Sequence, residues 1–137
     1  MSDGPDIRSG DGWAAAGLDD LGEGWGFRKI RAALGVEAFG VNAIVLPPRY
    51  EAGPHFHDEQ QELYFVHRGR VELEVDDDVL ALEAGGLARV DGRVVRRLRN
   101  PGTEDAVVLV VGGHGGYVGR DAHLPEGDHR PGGPLDA

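Results

Sequence analysis

Gly53-Pro54-His55-Phe56-His57-Asp58-Glu59-Gln60-Gln61-Glu62-Leu63-Tyr64 is the most informative stretch of this 137-residue chain. Successive side chains of a strand face opposite ways, so His55 and His57 share one face and Phe56 takes the other. The two imidazoles then converge. Asp58 to Gln61 reads as a polar turn, and a strand starting at Glu62 predicts a short hairpin that brings its carboxylate back beside the histidines. Two neutral ring nitrogens and one carboxylate oxygen make a facial set that suits Fe(II), Mn(II), Ni(II) or Zn(II) and leaves positions open. Asp58 and Glu59 are expected at the solvated hairpin tip rather than on a metal. His67, His114, His123 and His129 stand alone in an acidic chain and read as solvated surface.

Outward from that stretch the pattern is β. Val41 to Leu46 ends at Pro47-Pro48, Leu63 to His67 ends at Gly69, and Val71, Leu73 and Val75 alternate with Glu72 and Glu74 before the turn Asp76-Asp77-Asp78. Val79 to Leu82 stops at Gly85-Gly86, Leu87 to Val90 at Asp91-Gly92, Val94 to Arg99 at Asn100-Pro101-Gly102, and Ala106 to Val111 at Gly112-Gly113. Short strands, tight turns and no internal repeat predict an all-β antiparallel barrel or sandwich. Ahead of it, Met1 to Gly12 holds too little apolar surface to offset ordering entropy and is expected to be a flexible tail. Trp13 to Leu21 reads as a short helix or an irregular lead-in, and Gly22, Gly24 and Gly26 as a looped approach to the first strand. Both tryptophans are expected to cap the barrel or a subunit interface. The chain thus divides into a lead-in over residues 1–26, a barrel over 27–118 and a C-terminal tail over 119–137. The Gly- and Pro-rich tail, with Pro125, Pro131 and Pro134, is expected to be mobile, with Tyr117 and Leu124 as candidates to pack back on the barrel.

Composition narrows the chemistry. A formal net charge of −10, from 14 basic and 24 acidic residues, opposes a phosphate backbone and sets nucleic acid aside. No apolar run nears the roughly 20 residues that span a bilayer, and Met1 to Gly12 is acidic rather than basic then apolar. A cytoplasmic location without membrane contact is therefore expected. The absence of cysteine removes disulfides, thiolate nucleophiles and zinc-thiolate clusters, so any metal must use histidine and carboxylate.

These residues resemble the cupin superfamily, whose first motif is a Gly region, H-x-H, three or four residues, E, six residues and G. Here His55-x-His57, four residues, Glu62, six residues and Gly69 match it. The second motif runs G, five residues, P-x-G, two residues, H, three residues, N. Gly85 and Asn100 match it, whereas Asp91, Arg93 and Arg96 stand where the motif has its proline, glycine and histidine. The resemblance covers Gly40 to Val111. It implies a double-stranded β-helix, a jelly-roll barrel usually paired as a homodimer, with functions from dioxygenases and isomerases to storage and ligand sensing.

The resemblance also implies a histidine as fourth metal ligand at the position of Arg96. A guanidinium has no lone pair to donate. At about 5 Å from a divalent ion its repulsion is on the order of 6–7 kcal/mol for an effective dielectric of about 20, before counter-charges. Glu62 offsets part of this, and an anion bridging metal and guanidinium offsets more. Two readings follow. In the first, His55, His57 and Glu62 hold a divalent metal that acts as a Lewis acid or oxygen activator. Arg96 and Tyr64 then bind a small anionic substrate in an apolar barrel lined by Tyr64, Val66 and Leu98. In the second, Arg96 forms a buried salt bridge with Glu62, no metal binds, and the barrel is a binding or sensing module. Strand alternation places Leu98 and Asn100 on the Arg96 side and Arg97 and Arg99 outside. The arginine group of Arg89, Arg93, Arg96, Arg97 and Arg99 is expected to pair internally with Glu72, Glu74 and Asp76 to Asp78.

Overall fold

Val71 and Leu73 point inward from one strand while Glu72 and Glu74 stay on the outer face, and this two-residue rhythm recurs through the molecule. The computed structural model describes residues 6–125 and 132–135, so the expectations for Met1 to Pro5, His129 and Pro131 lie outside the described residues. The chain runs through β1 (Arg8–Gly10), β2 (Trp13–Ala15), a 3-10 turn (Leu18–Leu21), β3 (Gly26–Arg28), helix α1 (Ile30–Leu34), β4 (Gly40–Leu46) and β5 (Tyr50–Glu51). It continues through β6 (Phe56–His57), β7 (Gln61–Arg68), β8 (Arg70–Val75), β9 (Asp78–Glu83) and β10 (Leu87–Val90). Then come β11 (Arg96–Asn100), β12 (Ala106–Gly113), β13 (Ala122–His123) and β14 (Gly133–Pro134).

Two antiparallel five-stranded sheets, β10-β7-β12-β4-β3 and β14-β5-β11-β8-β9, carry the fold. Their inner faces close on Leu46, Tyr64, Val66, Leu73, Leu98 and Val108. This is an all-β jelly-roll, the double-stranded β-helix. Among the described residues no helix is long and apolar enough to cross a membrane.

The edges of the chain depart from expectation. Arg8–Gly10 is not a loose tail: it pairs in register with Trp13–Ala15, because Gly12 takes the left-handed φ of +81° that a tight reversal needs. Trp13 to Leu21 is correspondingly a strand followed by a 3-10 turn, closer to the irregular lead-in than to a short α-helix. Trp13 and Trp25 are 53% and 65% exposed and cap no core in this chain, although the Trp25 indole donates to Asp105 Oδ1. The tail also returns, since β13 pairs with β6 and β14 with β5.

Cross-strand charge fixes the outer face of β8 and β11. The register sets Arg97 opposite Glu74 and Arg99 opposite Glu72. Arg97 reaches Glu74 at 2.9 Å and Glu51 at 3.4 Å, and Arg99 reaches Glu51 at 3.6 Å. Arg97 was expected on the surface, yet these carboxylates leave it 6% exposed. Glu51 on β5 takes the share expected of Asp76 to Asp78.

The inner face of β11 is a hub of polar stitching. Asn100 donates to the carbonyls of Leu46, Pro47 and Glu104 at 2.8–3.2 Å and accepts from the Gly102 amide, tying β4 to the β11–β12 turn. Gly69, at the β7–β8 turn, has φ +75°, and a Cβ there would come within 2.7 Å of the Asp105 carbonyl. Arg96 is 1% exposed. Its Nη1 donates to the carbonyls of Gly92 and Val94, each at 2.9 Å. Its Nη2 donates to those of Asp91 at 3.3 Å and Val90 at 3.4 Å. One guanidinium thus holds the whole β10–β11 turn.

Arg96→Met keeps volume but leaves those carbonyls and Glu62 without their donor. The expected loss in urea-unfolding free energy is about 3–5 kcal/mol; a loss under about 1 kcal/mol contradicts the structural role.

Candidate metal centre

The motif that holds the histidines is anchored by backbone before any side chain acts. His55 exchanges two hydrogen bonds with Arg96, at 3.0 and 2.9 Å, and the His57 amide donates to the Gly92 carbonyl at 2.7 Å. The second-motif turn thereby holds the first. The expected hairpin between His57 and Glu62 is not formed: β6 pairs with β13, and Glu62 stands on β7 in register with Val90 and Gly112. Glu62 nonetheless arrives beside both imidazoles, because the segment from Asp58 to Gln60 turns the chain from β6 into the neighbouring sheet.

His55, His57 and Glu62 present ligand atoms that all lie within 4.8 Å of one another. Glu62 Oε1 is 3.3 Å from His57 Nε2 and 3.9 Å from His55 Nε2. The two rings stand 5.1 Å apart and nearly perpendicular, at 84°. His57 and Glu62 are buried, whereas His55 keeps a third of its side chain exposed toward the opening.

Asp121 makes the fit specific. Its Oδ1 lies 2.7 Å from His57 Nδ1, and its Oδ2 accepts from the backbone amides of Glu59 and Gln60 at 3.0 Å each. With a carboxylate on Nδ1, a neutral ring keeps its proton there and turns the Nε2 lone pair toward Glu62; the Gln60 side-chain nitrogen lies 3.0 Å from the same Nδ1. Nε2 is buried, and among the described residues it makes no hydrogen bond, with Glu62 Oε1 3.3 Å away. Two electron-rich atoms at 3.3 Å need a cation or a proton between them. A divalent metal would supply that charge, and the three ligand atoms lie close enough together to hold one.

Without a metal, a proton takes that place. Burial disfavours charge on Glu62, but His55, His57 and the Tyr64 hydroxyl, which donates to Oε1 at 2.7 Å, hold its carboxyl well below the usual carboxylate range. Burial likewise opposes an imidazolium at His57, yet Glu62 and Asp121 outweigh it and raise this group above its ordinary value. Burial also penalises charge on Asp121, and the Gln60 and Glu59 amides more than compensate, keeping it ionised. Tyr64 is pushed upward by burial and by Glu62, so its hydroxyl stays a donor.

A cavity of about 520 Å³ opens over this cluster, lined at depth by Ile44, Tyr64, Leu98 and Val110. Val66 is core rather than lining, packed at 0% exposure behind Tyr64. Arg96 does not face the cavity as a substrate anchor: its Nη groups are spent on carbonyls and it approaches Glu62 Oε1 at 3.5 Å from behind. Tyr64 does line the cavity, presenting its ring while its hydroxyl serves Glu62. His123, read as surface, pairs with Asp58 at 2.6 Å away from the cluster. Asp121 was missed because it stands 64 positions from His57 in a Gly-rich stretch with no spacing signal.

Comparison with known proteins accords with this geometry. No functionally curated protein matches the chain. A proposed sugar phosphate isomerase from Acidithiobacillus ferrooxidans has the same fold, with TM-score 0.63, 23% identity, and coverage of 73% of this chain and 64% of that one. A cupin protein from Bacteroides fragilis gives TM-score 0.60 at 15% identity, covering 82% and 85% of the two chains. A double-stranded β-helix protein from Klebsiella pneumoniae gives 0.57 at 24% identity, covering 64% and 74%. This chain therefore spans under two thirds of the Acidithiobacillus protein. The cupin domain model matches residues 43–112, just over half the chain, and this protein belongs to the cupin family.

Proposed function

We propose that this cupin binds a divalent transition metal, of the Fe, Mn, Ni or Zn group, through His55, His57 and Glu62, and uses it on a small anionic metabolite in the overlying cavity. The observation that carries the reading is the buried Nε2 of His57, which faces the Glu62 carboxylate at 3.3 Å while Asp121 backs the ring at Nδ1. Such a metal would supply Lewis acidity or oxygen activation with coordination positions open to the cavity. The protein supplies the rest. Tyr64 and Arg96 hold Glu62 ionised, Asp121 fixes the His57 tautomer, and Ile44, Leu98 and Val110 exclude water from the depth of the cavity. A proposed sugar phosphate isomerase among its fold relatives is consistent with an anionic substrate.

Arg96 favours a second reading. Its Nη2 lies 3.5 Å from the oxygen that faces both histidines, so a metal-free barrel serving as a binding or sensing module is electrostatically self-sufficient. Untagged protein equilibrated with Mn(II), Fe(II), Ni(II) and Zn(II) in turn and then desalted separates the two. Elemental analysis is expected to show close to one equivalent of at least one metal, lost in the His55→Ala, His57→Ala double variant. Wild type without metal, or equal metal in both proteins, establishes the binding module instead.

Asp121→Asn keeps shape while removing the charge that backs His57. Metal affinity in a competitive chelator titration is expected to fall about 10–100-fold. Unchanged affinity in a variant with wild-type circular dichroism reduces Asp121 to an anchor for the Glu59 and Gln60 amides.

A further inference from the structure

The charged groups at the cavity mouth are not those of the motif. Arg31 on α1 and Arg120 just before β13 both line the cavity, and both lie outside the family-matched residues 43–112. Among the described residues neither has a carboxylate partner. Five arginines of the barrel wall and its turns do have one: Arg89 with Asp91, Arg93 with Asp58, Arg96 with Glu62, Arg97 with Glu74, and Arg99 with Glu51. Among the described residues, Arg31 and Arg120 are the arginines that line this cavity, beside the carboxylates of Glu62 and Asp121, in a chain with 24 acidic against 14 basic residues.

The Arg31 side chain and the backbone that carries Arg120 are both anchored. The Arg31 guanidinium stacks over the Tyr117 ring at 3.8 Å, and its hydrogen bond to the Val36 carbonyl is long, at 3.5 Å. Stacking on a ring orients the fork without consuming its donors. Arg120 has φ +56°, a left-handed conformation that glycine adopts without strain and arginine does not. It adjoins Asp121, whose bonds to His57 and to two backbone amides fix the segment.

The net charge of the molecule repels anions at long range, but salt screens that field beyond about 8 Å. Local cations then decide what enters. We infer that Arg31 and Arg120 form the anion-binding rim of this cavity, seating the carboxylate or phosphate of a ligand whose apolar or neutral body extends toward Leu98 and the His55-His57-Glu62 cluster. This rests on the cavity being the ligand site proposed above, but not on a metal being bound. It assigns to two flanking residues the role that the sequence suggested for Arg96.

Hexanoate and hexyl phosphate, with hexanamide as the uncharged control, are titrated into the full-length protein in EDTA and followed by amide NMR shifts. At least one anion is expected to bind about tenfold more tightly than hexanamide, and which one does so identifies the headgroup. Arg31→Gln with Arg120→Gln is expected to erase that preference while leaving hexanamide affinity unchanged, which also shows that the cavity is intact. The His55→Ala, His57→Ala variant is expected to keep the preference, so a failed metal site and a failed anion rim give different results. Equal binding of anions and hexanamide, no binding of any of the three, or a preference that survives loss of both arginines overturns the inference.

Discussion

One carboxylate oxygen, Glu62 Oε1, is where the constraints of this molecule meet. It accepts from Tyr64 at 2.7 Å and lies 3.3 Å from His57, 3.5 Å from Arg96 and 3.9 Å from His55. These groups come from β6 and its lead-in, β7 and β11, so an ionised Glu62 is also a point of attachment between the two sheets. Burying such a charge is costly unless it is paired and hydrogen-bonded. The site is therefore as much a part of the fold as Leu73 or Val108, and residues that support Glu62 support both.

Arg96 shows how a departure from a family pattern can be absorbed. The substitution of arginine for a histidine ligand removes a donor atom from the centre and adds a positive charge. That charge is spread over the carbonyls of Val90, Asp91, Gly92 and Val94, which belong to a turn without the motif's proline and glycine. The guanidinium does for this turn what proline rigidity does elsewhere. Its remaining contact holds Glu62 in its charged form. The consequence for a metal is a three-residue set with more open positions and a weaker hold.

The barrel was legible from alternation along single strands, and the His55-His57-Glu62 cluster from its motif spacing, although Glu62 reaches the histidines from β7 of a neighbouring sheet and not through the expected hairpin. Val71 and Leu73 against Glu72 and Glu74 carry their burial in the sequence. The pairing of β6 was not legible, since its partner Ala122–His123 lies in a Gly- and Pro-rich stretch that resembles a tail. Asp121 was missed for the same reason. Arg96 was located on the correct face, but a strand pattern states which side a residue takes and not which atoms its long side chain will reach. The carbonyls of a turn, invisible to any residue pattern, decided that.

The division of labour that results has a physical logic. Residues 43–112, the part that matches the family model, supply the histidines, the glutamate and the apolar walls, on strands whose register tolerates little movement. The flanks supply what surrounds the ligand's charge: α1 brings Arg31, and the segment before β13 brings Arg120 and Asp121. Asp121 joins the two halves, since the same carboxylate that turns the His57 lone pair inward ties its segment to the Glu59 and Gln60 amides. A displacement of that segment would move the anion rim and release the His57 tautomer together. In the proposed reading, ligand recognition at the mouth and a metal ligand at the floor would be coupled through one side chain, although 64 positions separate it from the histidine it contacts.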